Sequence, residues 1–439
     1  MRITKISIEN YKSLRSISID PGQLTLLLGA NASGKSNFSD CLDFISEVYR
    51  HGLEIAIGRK GGYENIAYRR IRRSKKPIYI SLSVELFSQD IRFFSNRDRG
   101  IEDLHLQIEH SFSFATQGYS IRAAFEVIEE KLQISLKKEQ SWNTIATISR
   151  TQEGFTYETS PEFAESIERK TARSRDIFSS FSELQYLKER MPSFSQTELL
   201  VSFIGRFVPL LYSFTTAVKN IRVFQISPTK SRQFGVSTPS PELDRYGGNL
   251  PGVIDVLKKK NKKQWREVMQ AMRSVIPDLI SIEIDYTTSR TLGLFFKEKG
   301  FGRPWSVDEV SDGTIQILAL LVAIYDPASK VLVIEEPENS VHPWIIRQLI
   351  DACREASKNQ QIIITTHSPI VMNSVKPEEI WIIWRSGGES FISEVSKVDP
   401  DFLLMWRDGS ISTFDYLDSG ALPEAIPPAP SEDLMVGEE

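Results

Sequence analysis

Alternating apolar and polar residues mark the start of the chain. The segments RITKISIEN and LRSISID alternate as half-buried strands do, and QLTLLLG (23–29) is almost wholly apolar, which is typical of a fully buried strand. Apolar residues then recur at helical spacing: Phe38, Cys41, Leu42, Ile45, Val48 and Tyr49. A helix is therefore predicted to begin near Ser36, and IYISLSVEL (78–86) again alternates as a strand.

The pattern changes between residues 87 and 250. Short strand-like pieces come first (FEVIEE, KLQISLKK, ATISR), followed by a helix-rich stretch from Pro161 to about Lys219. Regular heptads are not sustained there, so a long coiled-coil arm is not expected. From residue 275 strands and helices alternate once more: LISIEIDY, LGLFFKE, a helix at 314–325, VLVIE, a helix at 344–357, IIITT and IWIIW.

These elements predict an α/β fold in which the two ends of the chain build one head. Residues 1–86 form its N-terminal part and residues 251–420 its C-terminal part. Residues 87–250 are predicted to be an inserted, mainly helical subdomain. The tail at 421–439 is rich in proline and acidic residues and is expected to be disordered.

Composition narrows the class of protein. The 439 residues carry a net charge of −4, so any nucleic-acid binding has to come from local patches. Cys41 and Cys353 fall in helix-like patterns and are interpreted as buried thiols in a reducing compartment. The N-terminus does not resemble a signal peptide, and the apolar run at 315–325 is too short to cross a bilayer. We therefore expect a cytoplasmic protein without a membrane partner.

A phosphate-binding loop is predicted at GANASGKS (29–36), which has the pattern G-x-x-x-x-G-K-S between a buried strand and a helix. Its backbone N–H groups and the helix N-terminus would face phosphate oxygens. Lys35 would reach the β- and γ-phosphates, and Ser36 would coordinate Mg²⁺. The residues predicted to bind ATP are Gly29, Ala30, Asn31, Ala32, Ser33, Gly34, Lys35, Ser36 and Asn37. The loop alone would equally suit GTP or a small-molecule kinase, and a chance glycine-rich turn is the structural alternative.

Two adjacent glutamates end the apolar strand VLVIE, at Glu335 and Glu336. Carboxylates at the end of a buried strand repel each other unless a cation lies beside them. A Mg²⁺ ion held by Ser36 and nucleotide would supply that charge, with Glu335 as a metal ligand through water and Glu336 as general base. An exposed acidic turn is the alternative interpretation.

Two further elements fit the same site. Ser311, Asp312 and Gly313 precede a largely apolar helix, where they would either cap the helix or form a second anion site. His367 follows the apolar strand IIITT, in a position suited to sensing a γ-phosphate or the transition state. A lone histidine is otherwise more often structural.

In this order, GANASGKS (29–36), VSDGT (310–314), VLVIEEPENSVHP (331–343) and TTHSP (365–369) resemble the motifs of the ATP-binding-cassette ATPase superfamily. The similarity is to its SMC-like, RecF-like and OLD-like branch. The segment IENYKSL (8–14) also resembles the opening strand of that branch. The resemblance implies a P-loop NTPase head with a mixed sheet and flanking helices, split by the insertion. It covers residues 1–50 and 305–400.

The resemblance also implies a homodimer or a higher even oligomer, in which two heads enclose two nucleotides. Ser311, Asp312 and Gly313 would then act on the partner's nucleotide, and Glu338, Asn339 and Ser340 would form an inter-subunit loop. Glu336, His367 and Lys35 would be catalytic, with ATP and Mg²⁺ as cofactors. Two departures are Glu335 where the family has Asp, and SDG where it has SGG. The glutamine that normally completes the Mg²⁺ shell is not identified.

Two basic runs suggest partners. Six basic residues lie within Arg69–Lys76, and a second cluster is Lys258–Lys263. Such runs bind nucleic acid, but a solvated face or an acidic partner protein fits equally well.

The family resemblance favours an ATPase that drives or gates a separate effector, such as a nuclease, in anti-phage defence. The alternatives are a RecF/SMC-like DNA-repair ATPase and a non-hydrolysing, ATP-locked scaffold.

Overall fold

The computed structural model describes most of the chain. The described residues are 1–68, 76–90, 105–116, 118, 124–152, 154–161, 196–206, 208–239, 241–287, 290–326, 328–398 and 400–419. Residues 69–75 of the first basic run, much of the predicted helix-rich stretch (162–195) and the tail from residue 420 lie outside them.

The described strands are numbered β1 to β16 in chain order. They are Arg2–Tyr11, Leu14–Ile19, Leu24–Leu28, Ile78–Phe87, His105–Thr116, Phe125–Lys138, Ser141–Thr151, Gly154–Thr159, Ile221–Phe224, Leu279–Tyr286, Leu292–Glu298, Trp305–Ser306, Val331–Glu335, Gln361–Thr366, Ile380–Ser386 and Glu389–Glu394.

The described helices are numbered α1 to α14 in the same way. They are Lys35–His51, Leu53–Arg59, Tyr63–Ile66, Leu200–Ile204, Pro209–Lys219, Pro228–Ser231, Leu250–Lys260, Lys262–Val275, Asp312–Ile324, Pro343–Ala356, Pro369–Met372, Val395–Val398, Pro400–Arg407 and Thr413–Asp418. Within the described part of the chain, no helix combines the length and hydrophobicity that crossing a membrane requires.

One mixed sheet dominates the molecule. Its described strands lie in the order β8-β7-β6-β5-β4-β1-β2-β16-β15-β3-β14-β13-β9, and β10, β11 and β12 form a smaller sheet. The strands β15, β3, β14, β13 and β9 are all mutually parallel, whereas β8 to β2 are antiparallel. The mixed sheet with flanking helices confirms the predicted α/β fold.

Both faces of the parallel strands are buried, which explains their unbroken apolar runs. In β13, Val331 and Val333 pack into the core on one face, and Leu332 and Ile334 pack into the core on the other. The helix α1 covers the first face, and α9 and α10 cover the second.

The described part of the insertion differs from the mainly helical subdomain predicted for residues 87–250. It contains the long strands β5, β6 and β7, which pair antiparallel and extend the sheet of the head from β4. The pieces FEVIEE and KLQISLKK are one continuous strand, β6. Its alternation is hard to recognise in the sequence because Glu130, a charged residue, takes an inward position.

Glu130 is buried within a polar network beneath this sheet. Its carboxylate accepts hydrogen bonds from the backbone N–H groups of Leu200 (2.6 Å) and Val201 (2.8 Å), at the start of α4. His110 Nε2 lies 3.0 Å from Glu130 Oε1, and His110 Nδ1 contacts the hydroxyl of Tyr49 on α1. The network therefore ties the sheet extension to the helix that follows the phosphate-binding loop.

Replacing Glu130 by Ala should lower the free energy of unfolding by about 3 kcal/mol, because the buried N–H groups of α4 lose their acceptor. Urea unfolding followed by circular dichroism measures the change. The matched control is Glu129→Ala, since Glu129 is exposed on the same strand. Equal losses for the two variants would contradict a stabilising role for the network.

Candidate nucleotide-binding site

The predicted motifs converge at one edge of the parallel strands. The strand β14 lies between β3 and β13, with Thr366 opposite Leu28 and Thr365 opposite Glu335. The loop after β3, His367 after β14 and Glu336 after β13 therefore start at the same level. The carboxyl edge of parallel strands is where α/β proteins bind ligands.

The loop between β3 and α1 has the backbone conformation that its glycines allow. Gly34 has φ +119°, in the region that favours glycine, and a Cβ there would collide with Ser390 Oγ. A Cβ on Gly29 would collide with the carbonyl oxygen of Ile383. The hairpin β15–β16 therefore packs so closely against the loop that only glycine fits at both positions.

A hydrogen-bond chain fixes this loop to the rest of the head. Ser390 Oγ donates to the carbonyl of Ser33 (2.7 Å) and lies 2.7 Å from Ser13 Oγ. The amide of Asn37 donates to Ser13 Oγ (2.7 Å). These groups belong to β16, to the β1–β2 turn and to α1, so two segments distant in sequence and the adjoining helix hold the loop in place.

Lys35 is folded over its own loop. Its Nζ donates to the carbonyls of Gly29 (2.6 Å) and Ala30 (3.0 Å). Burial lowers the pKa of Lys35, and the negative charges of Glu336 and Glu338 oppose that shift. These electrostatic interactions show that Lys35 lies near Glu336 and Glu338, which are about three hundred positions further along the chain.

The loop also fits a phosphate group. Ser33 Oγ is buried without a hydrogen-bond partner among the described residues, and Lys35 donates only to the loop's own carbonyls. Phosphate oxygens can accept hydrogen bonds from both groups. The same region offers a hydroxyl and a carboxylate, at Ser36 and Glu335, which are the hard oxygen ligands that Mg²⁺ prefers.

Glu335 is buried at the end of β13, with its side chain 3% exposed. Burial raises its pKa, while Arg245 and a hydrogen bond from Ser36 act in the opposite direction. Arg245 Nη2 lies 2.6 Å from Glu335 Oε1. The predicted metal-binding residues, Ser36 and Glu335, are thus close together, but the cation beside them is an arginine that the sequence interpretation did not select.

Glu336 turns away from the strand direction, with φ 47°. Its N–H donates to the carbonyl of Thr365 (2.8 Å), and its Oε2 accepts from the Asn339 amide (3.0 Å). His367 Nδ1 lies 3.8 Å from Glu336 Oε1 and 3.8 Å from Glu338 Oε1. The two predicted catalytic side chains are therefore neighbours at the sheet edge.

The SDG segment begins α9. Ser311 caps the helix by accepting from the Thr314 N–H (3.2 Å), as in the capping alternative, and the anion site predicted for this segment stays a prediction. Arg232 donates to Asp312 Oδ1 (2.6 Å), so a nearby cation compensates the negative charge that would repel phosphate. A Cβ on Gly313 would lie 2.7 Å from the carbonyl oxygen of Ser340. The structure thus brings the SDG segment against the predicted inter-subunit loop.

Gln225 is a candidate metal-binding residue that the sequence interpretation missed. It directly follows β9, the neighbour of β13, and the pairing of Phe224 with Ile334 puts it level with Glu335. Its side chain is exposed, and its N–H donates to the Arg245 carbonyl (2.8 Å). The available signal was the short strand-like run IRVF followed by glutamine, but it has only four residues, includes Arg222 and comes almost directly after a helix.

The second basic cluster is partly engaged within the molecule. Lys258 donates to the carbonyl of Ile282 (2.8 Å), and Lys259 pairs with Asp255 (2.8 Å). Lys262 and Lys263 are exposed at the start of α8. Nucleic-acid binding by this cluster stays a prediction.

Comparison with known proteins gives one family. The model of the family described as "AAA domain, putative AbiEii toxin, Type IV TA system" matches residues 24–373. The Retron Ec83 probable ATPase of Escherichia coli is 23% identical over 444 residues, which cover 89% of this chain and 72% of that protein. The Retron Vc95 probable ATPase of Vibrio cholerae serotype O1 biovar El Tor is 22% identical over 412 residues, covering 87% and 73%.

Solved structures of SMC heads are also similar. The SMC head bound to the C-winged helix domain of ScpA has 16% identity and a TM-score of 0.48, covering 90% of this chain and 97% of that one. The SMC head domain from Thermotoga maritima has 15% identity and a TM-score of 0.40, covering 90% and 99%. The chain has the P-loop NTPase fold and belongs to the AAA-domain family whose model matches residues 24–373.

Proposed function

We propose that this protein binds ATP with Mg²⁺ at the carboxyl edge of β3, β14 and β13 and hydrolyses it to ADP and phosphate. The observation that supports the proposal best is the meeting of two distant segments. The Ser36 hydroxyl lies close enough to Glu335 to oppose the rise of its pKa, and the negative charge of Glu336 acts on Lys35. The probable-ATPase names of the two retron relatives agree with it.

Each residue of the loop has a role in this proposal. The backbone N–H groups of residues 29–37 and the N-terminus of α1 bind phosphate oxygens. Lys35 exchanges its two loop carbonyls for the β- and γ-phosphates. Ser36, Glu335 and Gln225 are the residues that would hold Mg²⁺, which when bound neutralises charge on the phosphates.

Glu336 is the proposed general base. It accepts a proton from water while the water oxygen bonds to the γ-phosphorus, and the bond from that phosphorus to the bridging oxygen breaks. Asn339 orients the carboxylate through its hydrogen bond. His367, held beside Glu336, would contact the γ-phosphate and stabilise the charge that builds on it.

We further propose that two copies enclose two ATP molecules. Ser311 and Asp312 are exposed at the N-terminus of α9, with Asp312 already paired with Arg232. Trp344, which follows the loop of Glu338 to Ser340 closely, is 73% exposed. An exposed tryptophan so close to the predicted inter-subunit loop suits a face that a second subunit covers.

The proposed biological role is to drive or gate a separate effector in defence against phage. Its support is the similarity to ATPases named as retron components, over most of the length of this chain. The effector would be a separate protein, such as a nuclease.

Replacing Lys35 by Ala tests the nucleotide site. The ATP affinity should fall about a hundredfold, because a charge-assisted contact to phosphate is lost. Binding of a fluorescent ATP analogue in the presence of Mg²⁺ measures it. The control is Lys358→Ala, which removes an exposed lysine just after α10 and should leave affinity unchanged. A folded Lys35→Ala variant with unchanged affinity would refute the site.

A further inference from the structure

Arg245 lies between three carboxylates at the edge of the site. Its Nη2 is 2.6 Å from Glu335 Oε1, and its Nη1 is 3.5 Å from Asp43 Oδ2 and 3.9 Å from Asp40 Oδ1. Glu335 ends β13, whereas Asp40 and Asp43 belong to α1. The guanidinium therefore bridges the acidic strand end and the helix that follows the phosphate-binding loop.

The other cations nearby are already engaged. Lys35 donates to the carbonyls of its loop. Lys60 bonds to both Asp40 and Asp43, and Lys12 bonds to Asp40. Among the described residues, Arg245 is thus the cation that pairs with Glu335.

The backbone holds Arg245 in this position. The N–H of Gln225 donates to its carbonyl (2.8 Å), and the N–H of Ser227 donates to the carbonyl of Tyr246 (3.1 Å). The Lys230 ammonium lies 3.6 Å from the centre of the Tyr246 ring. Only 23% of the Arg245 side chain is exposed. The arginine is a built part of the site and not a mobile surface side chain.

We infer that Arg245 determines whether this site accepts a free divalent cation or only a cation that is bound to a nucleotide. By neutralising Glu335 it weakens the binding of a free divalent cation, and the site binds Mg²⁺ tightly only together with the phosphates of a nucleotide. The inference rests on the proposed function, since it concerns the same metal-binding residues, Ser36 and Glu335.

The reason is electrostatic. A guanidinium repels a divalent ion beside it. A carboxylate that is already paired with the guanidinium attracts the ion only weakly. Mg²⁺ also loses its water shell reluctantly, so a single neutralised ligand does not bind it. The negative charge of a triphosphate offsets the repulsion, so both cations can then be present. Arg245 is in this sense a specificity-determining residue and takes no part in the bond changes.

Mn²⁺ is the probe for the test, because the unbound ion is counted by its electron paramagnetic resonance signal. The full chain is titrated with Mn²⁺ without nucleotide. The wild type should bind weakly at Glu335, and Arg245→Gln should bind at least tenfold more tightly, which corresponds to about 1.4 kcal/mol. The gain should disappear in the double variant Arg245→Gln/Glu335→Gln.

Two further variants separate this effect from general destabilisation. Arg354→Gln removes an arginine that forms a forked pair with Glu379 (2.7 and 2.9 Å), and it should leave Mn²⁺ binding unchanged. Arg245→Lys keeps the charge and should bind Mn²⁺ nearly as weakly as the wild type. If Arg245→Gln does not fold, Arg245→Met replaces it as the variant without charge, and a wild-type affinity in Arg245→Met overturns the inference. For a folded Arg245→Gln, an unchanged affinity overturns it.

The proposed function fails on a different result. If the wild type binds no ATP in the presence of Mn²⁺, the nucleotide site itself is refuted, and this inference with it. If the wild type binds ATP with Mn²⁺ while Arg245→Gln gains no affinity for Mn²⁺ alone, only the role of Arg245 is refuted.

Discussion

Replacing Glu336 by Gln should lower ATP turnover by two to four orders of magnitude while ATP binding is retained. That is the usual contribution of a positioned general base, and an amide cannot accept the proton of the attacking water. The geometry stays favourable, because Gln keeps the size of the side chain and the N–H of residue 336 still bonds to the Thr365 carbonyl. Phosphate release at saturating ATP measures turnover, and size-exclusion chromatography with ATP measures dimerisation.

The control for this variant is Glu355→Gln, an exposed glutamate of α10 that pairs with Lys358. Its turnover should match that of the wild type. Unchanged turnover in Glu336→Gln would refute the general base. A wild type that dimerises on ATP without any phosphate release would instead support the non-hydrolysing scaffold.

Replacing Gly34 by Ala should lower ATP affinity at least about a hundredfold and destabilise the protein by about 2 kcal/mol. The backbone at φ +119° is strained for any L-residue, and the new Cβ would collide with Ser390 Oγ. Since Ser390 also donates to the Ser33 carbonyl, the collision would displace the loop that binds phosphate. Binding of the fluorescent ATP analogue and thermal unfolding measure the two effects.

The matched control is Gly58→Ala. Gly58 lies within α2, and a Cβ there has nothing within 4 Å. Alanine is the better helix former, so stability should be unchanged or rise by about 0.5 kcal/mol, with ATP affinity unaffected. If Gly34→Ala behaved like Gly58→Ala, the tight packing of the loop would not matter for binding.

Local patterns predicted the parts of the site that each lie within one segment. The apolar runs before Gly29, Glu335 and His367 predicted three buried strands, and parallel strands bring their carboxyl ends to one edge. The glycine spacing of residues 29–36 predicted the loop, because φ at Gly34 and the approach of the β15–β16 hairpin require residues without Cβ.

Pairing between distant segments was not predictable in this way. Gln225 looks like any polar residue after a short strand until β9 is placed beside β13. The sequence prediction divided the strand β6 into two pieces because Glu130 is charged yet buried. The hydrogen-bond partners of Glu130, at residues 200 and 201, lie about seventy positions further along the chain. The sequence shows the glutamate, but it does not show which groups donate hydrogen bonds to its carboxylate.

The sequence by itself therefore determined the α/β class, the phosphate-binding loop and the acidic strand end, because each depends on the periodicity or steric needs of neighbouring residues. Only the tertiary structure decided which cation lies beside Glu335. The sequence requires a positive charge there, but Arg245 is ninety positions away, and the folding of the segment between β9 and α7 brings it within 2.6 Å. Charge balance at a buried group depends on distance in space, which the order of residues does not specify.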